Sequence, residues 1–231
     1  MLRSYIAFDL ETTGLNPMEN EIIEIGALKV RDGKVAERFM EFIRPSSPIS
    51  SEITDLTGIT NEMVASARPR GAVIADFLDF CEEDVLIGHN IGFDYSFVKA
   101  NAVSDGLSFE KNGIDTLKIA RKVHKDLPSR SLGTLCEHYH IENKAAHRAY
   151  HDALATAKLY QTLAHYFEAD DPKLFSPCQL TYKVKTPQKA TPKQIALIVS
   201  LLDRKKIEID WDPSTVSRSD ASRIIDRLLK S

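Results

Sequence analysis

The sequence has few of the features that mark secreted or membrane proteins. It contains three cysteines at widely separated positions, and no apolar run approaches the roughly 20 residues that a membrane-spanning helix needs. An odd number of cysteines without close spacing argues against a disulfide framework and against a zinc site. The first residues lack the charged and then apolar layout of a signal peptide. These absences predict a cytoplasmic protein that does not enter a membrane.

The whole chain has no strong charge imbalance, but its two parts differ in net charge. The net charge of the 231 residues is −3, yet residues 1–168 carry −7 (18 Lys and Arg against 25 Asp and Glu) and residues 169–231 carry +4 (12 against 8). Bound metal ions would offset an acidic excess, and a basic tail adds attraction for a polyanion. The length and the 43% hydrophobic content allow one sizeable domain with a small appendage.

Short apolar runs separated by turn signals predict an α/β protein with a mixed sheet flanked by helices. The predicted strands, of which the first three form an antiparallel meander, cover residues 5–8, 21–30, 35–43, 85–88 and 113–116. One predicted helix begins at Thr60 or Asn61, and another begins at Asp94. Four more predicted helices cover residues 72–81, 117–123, 132–139 and 149–167. Residues 53–59 are predicted to form a loop.

The composition changes after the last of these helices. Residues 1–168 are predicted to form the main domain, and residues 169–189, with three prolines and little apolar periodicity, a linker. Residues 190–231 predict a small helical hairpin, because Thr191 and Pro192 are typical of a helix start and a capping-box pattern precedes the second helix. About forty residues give a marginal core, so we expect this hairpin to contact the main domain or a partner.

Two carboxylates follow the apolar run of the first predicted strand. Asp9 and Glu11 are separated by one residue, and positions i and i+2 of a strand face the same side. Two adjacent acids repel each other, and burial of the pair is unfavourable unless a cation lies between them. The spacing makes a divalent metal site a candidate, although an isolated pair of this kind is more often an acidic strand end in solvent.

Three further residues with suitable chemistry lie at the ends of predicted elements. Asp94 opens a helix after a strand, and His147 and Asp152 lie at the start of the last long helix. Each residue alone is more often a helix cap or a structural side chain. Four carboxylates and one histidine, all at element ends, favour an active site.

Three motifs resemble those of the DEDD exonuclease superfamily, and they occur in the same order. They are FDLETTG at residues 8–14, HNIGFD at residues 89–94 and HRAYHD at residues 147–152, the last in its histidine-containing form. The motifs span nearly all of residues 4–168. The chain is identified as a member of the DnaQ-like (DEDDh) 3′–5′ exonucleases, the family of the proofreading epsilon subunit of bacterial DNA polymerase III. The resemblance implies a ribonuclease H-like fold with a five-stranded mixed sheet.

The resemblance also implies a mechanism with two divalent ions. The implied metal ligands are Asp9, Glu11, Asp94 and Asp152, and such oxygen ligands suit Mg²⁺ or Mn²⁺. His147 would act as the general base, since an unperturbed imidazole pKa of roughly 6.5 suits this task near neutrality. His151 does not occupy the family position and is interpreted as a structural or surface histidine.

The resemblance places substrate contacts at two of the motifs. The implied contacts to the terminal nucleotide and its neighbour are Thr12, Thr13, Gly14, Leu15, Asn90 and Phe93. Residues 53–60 resemble a family loop near the substrate, with a plain connector as the alternative. No device for reading bases is evident, so we expect little sequence specificity.

The expected substrate is the 3′ end of single-stranded DNA, and a DNA polymerase subunit is a candidate partner. RNA is an alternative substrate, as in the ribonucleases of the superfamily that share these motifs, because the contacts that would sense a 2′-hydroxyl cannot be placed from sequence. A non-catalytic polymerase-tethering module is a second alternative. The four acids argue against it, because a binding module gains nothing from clustered negative charge facing phosphate.

Overall fold

The computed structural model describes residues 1–143, 145–184, 189–209 and 211–230, except for the side chains of Ser219 and Lys230. The chain divides into two compact units, Met1–Tyr182 and Lys183–Ser231. The described residues contain no helix with both the length and the apolar character needed to cross a membrane.

The first unit is built on one mixed sheet with strand order β4-β3-β2-β1-β5-β6-β7. The strands are β1 (Tyr5–Thr12), β2 (Ile22–Arg31), β3 (Lys34–Arg44), β4 (Arg68–Pro69), β5 (Leu86–Gly88), β6 (Asn112–Asp115) and β7 (Cys178–Gln179). The meander β1-β2-β3 is antiparallel, and β5 and β6 continue the sheet in parallel with β1. The predicted five-stranded mixed sheet is the centre of this sheet, and the two-residue strands β4 and β7 extend its edges.

Seven helices accompany the sheet in the described part of the first unit. They are α1 (Ser51–Thr57), α2 (Asn61–Val64), α3 (Arg70–Cys81), α4 (Gly92–Ser104), α5 (Thr116–Val123), α6 (Leu132–His138) and α7 (Ala149–Phe167). Thr60 is the N-cap of α2, since its side chain accepts a hydrogen bond from the Met63 N–H.

The two faces of β1 enter different hydrophobic clusters. Ile6 and Phe8 belong to the cluster that includes Phe77 of α3 and Phe97 of α4. Tyr5 and Ala7 belong to the cluster on the opposite face, which is formed largely by α7. Because strand side chains alternate, Asp9 and Glu11 share the face of Tyr5 and Ala7. The sheet therefore directs both acids towards the layer that contains α7.

The predicted loop at residues 53–59 is wrong, because this segment belongs to helix α1. Ser50 caps the helix by accepting a hydrogen bond from the Ile53 N–H at 3.4 Å, and Gly58 ends it with a φ of +70°. A serine before the first turn and a glycine after the last are ordinary helix boundary signals. Ile53 and Ile59 pack with Ile23 of β2, which stabilises the helix against the sheet.

The division between the units lies later than the sequence predicts. Within the predicted linker 169–189, Phe175 is buried in the α7 cluster, β7 pairs with β6, and Leu180 packs over Gly113. These residues are part of the first unit because their side chains complete its core. Residues 185–188, also in the predicted linker, lie outside the described part of the chain.

The second unit contains the predicted helical hairpin, formed by α8 (Pro192–Lys205) and α9 (Arg218–Lys230). Thr191 and Gln194 form a capping box at the start of α8, which confirms the predicted helix start. Ile198, Leu202 and Ala221 belong to the small apolar cluster between the two helices.

Candidate active site

The acids of β1 each have a defined neighbour on β2. Asp9 pairs with Gly26, and Glu11 pairs with Glu24. Asp9 is half-buried, whereas only 8% of Glu11 is exposed. The regular pairing up to Glu11 holds both carboxylates on one face of the sheet.

Gly26 allows helix α7 to approach this face. A Cβ atom at Gly26 would lie 1.9 Å from the Tyr150 nitrogen and 2.2 Å from the Ala149 carbonyl carbon, so no side chain fits there. The first turn of α7 thus contacts the β2 backbone directly, beside Asp9. Asp152 lies in that turn, and ligand oxygens of Asp9, Glu11 and Asp152 lie within 4.8 Å of one another.

Asp94 reaches the same strand from the other face of the sheet. It lies in the first turn of α4, is 3% exposed, and accepts a hydrogen bond at Oδ1 from the Leu10 N–H at 3.1 Å. Leu10 is the residue between Asp9 and Glu11. The structure therefore brings the four acids that the sequence predicts to one segment of β1, with three of them in the close cluster.

The electrostatics of the cluster fit a divalent cation. Burial, and then repulsion from Asp94 and Asp152, raises the pKa of Asp9 well above its usual value. Burial and the charges of Asp152 and Glu24 raise the pKa of Glu11 to about 8. Several buried oxygen donors that repel one another are the ligand set that Mg²⁺ or Mn²⁺ favours, because the cation removes the repulsion.

Burial also raises the pKa of Asp94, to about 8. Hydrogen bonds from backbone N–H groups, including that of Leu10, partly oppose this rise because they stabilise the charged form. The backbone of β1 therefore helps to hold the orientation of the Asp94 carboxylate.

Both oxygens of Asp152 are held by its own surroundings. Oδ1 accepts a hydrogen bond from Asn143 Nδ2 at 2.6 Å, and Oδ2 accepts one from the His147 N–H at 2.9 Å. Asn143 belongs to no motif in the sequence, so its role could not be predicted. Both contacts leave lone pairs on the carboxylate free to face Asp9 and Glu11.

His147 precedes α7 in a backbone conformation that is uncommon for a residue with a side chain. Its φ is +62°, in the left-handed region, and its imidazole is exposed. Within the described residues, the imidazole has no hydrogen-bond partner. The structure thus ties the His147 backbone to Asp152 and leaves its ring facing solvent. His151 is half-buried beside the Tyr150 ring.

The second motif is held in place by its histidine. His89 Nε2 lies 2.9 Å from the Arg130 carbonyl oxygen, and Nδ1 lies 2.9 Å from Thr116 Oγ1. A carbonyl only accepts, so in the neutral ring Nε2 carries the proton, and Thr116 Oγ1 lies within hydrogen-bond distance of both Nδ1 and the Gly88 carbonyl, which is 3.2 Å away. Burial lowers the pKa of His89, which favours this neutral form. The next residue, Asn90, has a φ of +68° and an exposed side chain.

The residues predicted to contact substrate border the β1 acids. Thr12 Oγ1 donates a hydrogen bond to the Gly14 carbonyl at 2.7 Å, and Thr13 is held by Glu21 through its N–H and its hydroxyl. A side chain at position 14 would collide with Asn20. Leu15 follows this turn, and 84% of the residue is exposed to solvent.

Phe93 lies one residue before Asp94. It is half-buried, and its ring packs on Phe97 with the centroids 5.0 Å apart. The structure therefore places an aromatic ring at the start of α4, within one residue of the acid that reaches Leu10.

Two further residues near the cluster are not among the predicted site residues. Glu24 is a further buried carboxylate, and its partner is the guanidinium of Arg148. Their 124-residue separation gives no local signal. The one available signal is the position of Glu24 inside the apolar run of β2, because a buried charge needs a partner of opposite charge.

Comparison with known proteins gives a consistent result. The model of the RNase T exonuclease family matches residues 6–160. The chain is 43% identical over 156 residues to a PolC-type DNA polymerase III of Caldanaerobacter subterraneus subsp. tengcongensis. It is 40% identical over 157 residues to that of Streptococcus mutans serotype c. Each alignment covers 68% of this chain but only 11% of the polymerase, so the chain spans about a tenth of these relatives.

Solved structures with a similar fold are also exonucleases. A structure of exonuclease X in complex with 5′ overhanging duplex DNA has a TM-score of 0.58 and 27% identity, covering 71% of this chain and 92% of that one. A structure of E. coli exonuclease I in complex with a dA16 oligonucleotide has a TM-score of 0.64 and covers 75% of this chain and 42% of that one. Its 20% identity supports the fold alone. The ribonuclease H-like fold and the family predicted from the three motifs are confirmed, and the chain belongs to the exonuclease family.

Proposed function

We propose that this exonuclease is a metal-dependent enzyme that removes nucleoside monophosphates from the 3′ ends of single-stranded DNA. The observation that carries the proposal is the convergence of the Asp9, Glu11 and Asp152 carboxylates within 4.8 Å, beside Asp94. In this proposal the four acids hold two Mg²⁺ or Mn²⁺ ions.

When bound, two such ions would activate the attacking water, neutralise charge on the phosphoryl group and assist the departing oxyanion. The chain supplies the arrangement of ligands and the proton acceptor. Asn143 and the His147 N–H orient Asp152, and the Leu10 N–H orients Asp94. In this proposal a ring nitrogen of His147 accepts the proton of the attacking water, because its backbone N–H is bound to Asp152 and its exposed ring has no hydrogen-bond partner among the described residues.

The proposed substrate contacts follow from exposure and position. Leu15 presents an apolar side chain to the terminal nucleotide, next to the turn formed by Thr12, Thr13 and Gly14. Asn90 and the ring of Phe93 contact the neighbouring nucleotide, where stacking on an aromatic ring tolerates any base. The enzyme therefore has little sequence preference.

The choice of DNA is supported by the proteins that resemble this chain. Exonuclease X and exonuclease I were solved with DNA, and the sequence relatives are DNA polymerases. A cytoplasmic role in proofreading or repair, with a DNA polymerase subunit as partner, is consistent with these relatives.

Hydrolysis of labelled oligonucleotides tests the proposal. With Mg²⁺ or Mn²⁺, a 3′-labelled single strand of DNA should release labelled mononucleotide at once, whereas a 5′-labelled strand should shorten gradually. Faster degradation of the matched RNA would identify an exoribonuclease. Binding of either strand without hydrolysis would identify a tethering module, and immediate release of the 5′ label would contradict the polarity.

A further inference from the structure

Glu24 makes a set of contacts that the proposed metal site does not use. It is 4% exposed, and it accepts hydrogen bonds from Arg148 Nη2 to Oε1 at 2.8 Å and from Arg148 Nε to Oε2 at 3.2 Å. Its Oε2 also accepts from the Ala149 N–H at 3.1 Å. Both oxygens are thus engaged by the two residues at the start of α7.

These contacts replace a cap that α7 lacks. Arg148 occupies the N-cap position, and its side chain makes no capping hydrogen bond. The first N–H groups of a helix need acceptors, and negative charge is favourable near them. Glu24 of strand β2 supplies both the hydrogen-bond acceptor and the negative charge, so a residue of the sheet holds the start of this helix.

The guanidinium of Arg148 is held from a second side. Its central carbon lies 5.4 Å from the centroid of the Phe42 ring, and Phe42 of β3 is the strand partner of Glu24. The charge of Arg148 also lowers the pKa of Glu11, so it lies within electrostatic reach of the β1 acids. A planar guanidinium between a carboxylate and an aromatic ring has few alternative orientations.

The restraint on Arg148 acts on its chain neighbour, His147. A left-handed backbone at a residue with a side chain is unfavourable and persists only where its surroundings impose it. Glu24 fixes the two residues that follow, and Asp152 accepts the His147 N–H. These contacts connect β2 to both functional residues of the third motif.

We propose that Glu24 and Arg148, here called the brace, are positioning residues that orient His147 and Asp152 for hydrolysis. This inference rests on the proposed function of the same site. Loss of such a supporting contact typically lowers activity by about 10–100-fold, because the reacting groups move out of line.

An equivalent ion pair on the same strand provides a matched control. Arg31 of β2 binds Asp84 through two hydrogen bonds, at 3.0 and 2.6 Å, and neither residue belongs to the proposed site. Glu24→Gln and Arg148→Met are compared with Asp84→Asn and Arg31→Met. For each variant kcat and KM on a 3′-labelled DNA strand, the unfolding temperature and the Mn²⁺ dissociation constant are measured.

The brace predicts a fall in kcat of about 10–100-fold in both brace variants, with KM within about threefold, and near-normal kcat in the control variants. The double variant should be about as slow as the slower single variant, because the two residues act as one unit. Arg148→Lys retains the positive charge and should therefore be faster than Arg148→Met. This comparison tests the brace even if Glu24→Gln does not fold.

Two results would overturn the brace while leaving the proposed function intact. One is a kcat of Glu24→Gln that falls no further than that of Asp84→Asn. The other is a multiplicative loss of rate in the double variant. If the wild-type protein hydrolyses neither DNA nor RNA, the proposed function fails separately. The affinity for Mn²⁺ then tests the brace. We expect the Mn²⁺ dissociation constant to be about tenfold higher in Glu24→Gln than in the wild type and unchanged in Asp84→Asn. Equal dissociation constants in Glu24→Gln and the wild type, or no Mn²⁺ binding by the wild type, would contradict the brace.

Discussion

The two halves of the candidate site are built by different means. Asp9 and Glu11 lie on β1, where main-chain pairing with β2 runs through both residues and sets their positions. His147 and Asp152 lie at a turn and a helix start, where side chains, including that of Glu24 from β2, hold a strained backbone. The strand half is rigid by pairing, whereas the helix half depends on individual contacts. Substitutions should therefore affect the two halves differently.

The largest effect is expected from removing an acid of either half. We expect Asp9→Ala and Asp152→Ala each to lower turnover by about 10³-fold or more, because each removes a proposed metal ligand. The halves should differ in stability. Both changes relieve repulsion among the acids, but only Asp152→Ala leaves Asn143 and the His147 N–H without an acceptor, so it should cost about 1–3 kcal/mol more than Asp9→Ala.

The oligonucleotide assay and thermal unfolding in EDTA measure these two quantities. Near-wild-type hydrolysis by either variant would show that the metal assignment is wrong. Equal losses of stability would remove the distinction between the strand half and the helix half.

The next effect concerns the proposed base. We expect His147→Ala to lower kcat by about 10²–10⁴-fold, the usual contribution of general base catalysis. Mn²⁺ affinity should be largely unchanged, since the imidazole is exposed and is not needed for packing. His151→Ala is the matched control and should retain most activity. Unchanged kcat in His147→Ala, or a loss of metal affinity as the main effect, would remove His147 from this role.

A smaller effect is expected where the two halves touch. In Gly26→Ala the new methyl group meets the α7 backbone at 1.9 Å, so the helix start must shift away from Asp9. We expect a loss of about 1–3 kcal/mol in unfolding free energy and a lower kcat. Gly133→Ala, where nothing lies within 4 Å of the new atom, should leave kcat unchanged. Normal activity in Gly26→Ala would show that this close contact is not needed.

The smallest effect is the pH dependence of stability without metal. The pKa values of Glu11 and Asp94 are each raised to about 8 in the fold. A carboxyl with a raised pKa favours folding while it is protonated, so its contribution is complete below the unfolded pKa of about 4 and is lost as the pH rises to about 8. The unfolding temperature in EDTA should therefore fall between pH 6 and pH 8.5.

Metal should reverse this trend. At about 100 times the dissociation constant, Mn²⁺ should raise the unfolding temperature by about 5–10 °C at pH 8.5 and by less at pH 6, because ligands must lose protons to bind. Glu11→Gln should flatten the curve measured in EDTA. A wild-type curve that matches that of Glu11→Gln would contradict the raised pKa.

The same contrast explains how much the sequence could predict. The common face of Asp9 and Glu11 follows from the two-residue period of a strand, so a local pattern was sufficient. The contact of Arg148 with Glu24 joins segments 124 residues apart, which no local pattern encodes, and Asn143, although only nine residues before Asp152, belongs to no motif. Helix α1 is a different case, because its capping residues Ser50 and Gly58 are local signals that favour a helix over the predicted loop.

The boundary between the units shows a further limit. Three prolines in a segment of low periodicity favour a linker, yet Phe175 and Leu180 are buried on the first unit. The apolar residues of this segment have no regular spacing and therefore carry no periodic signal. A truncation that keeps the catalytic unit intact should therefore end after Tyr182 and not after Glu168.

The central claim is that the acids around β1 hold two divalent ions. A crystal soaked with Mn²⁺ and a nucleoside monophosphate, examined by anomalous scattering, tests it most directly. Two manganese peaks about 3.5–4 Å apart are expected, contacted by Asp9, Glu11, Asp94 and Asp152. The absence of manganese at these carboxylates, or a single ion held by other residues, would contradict it.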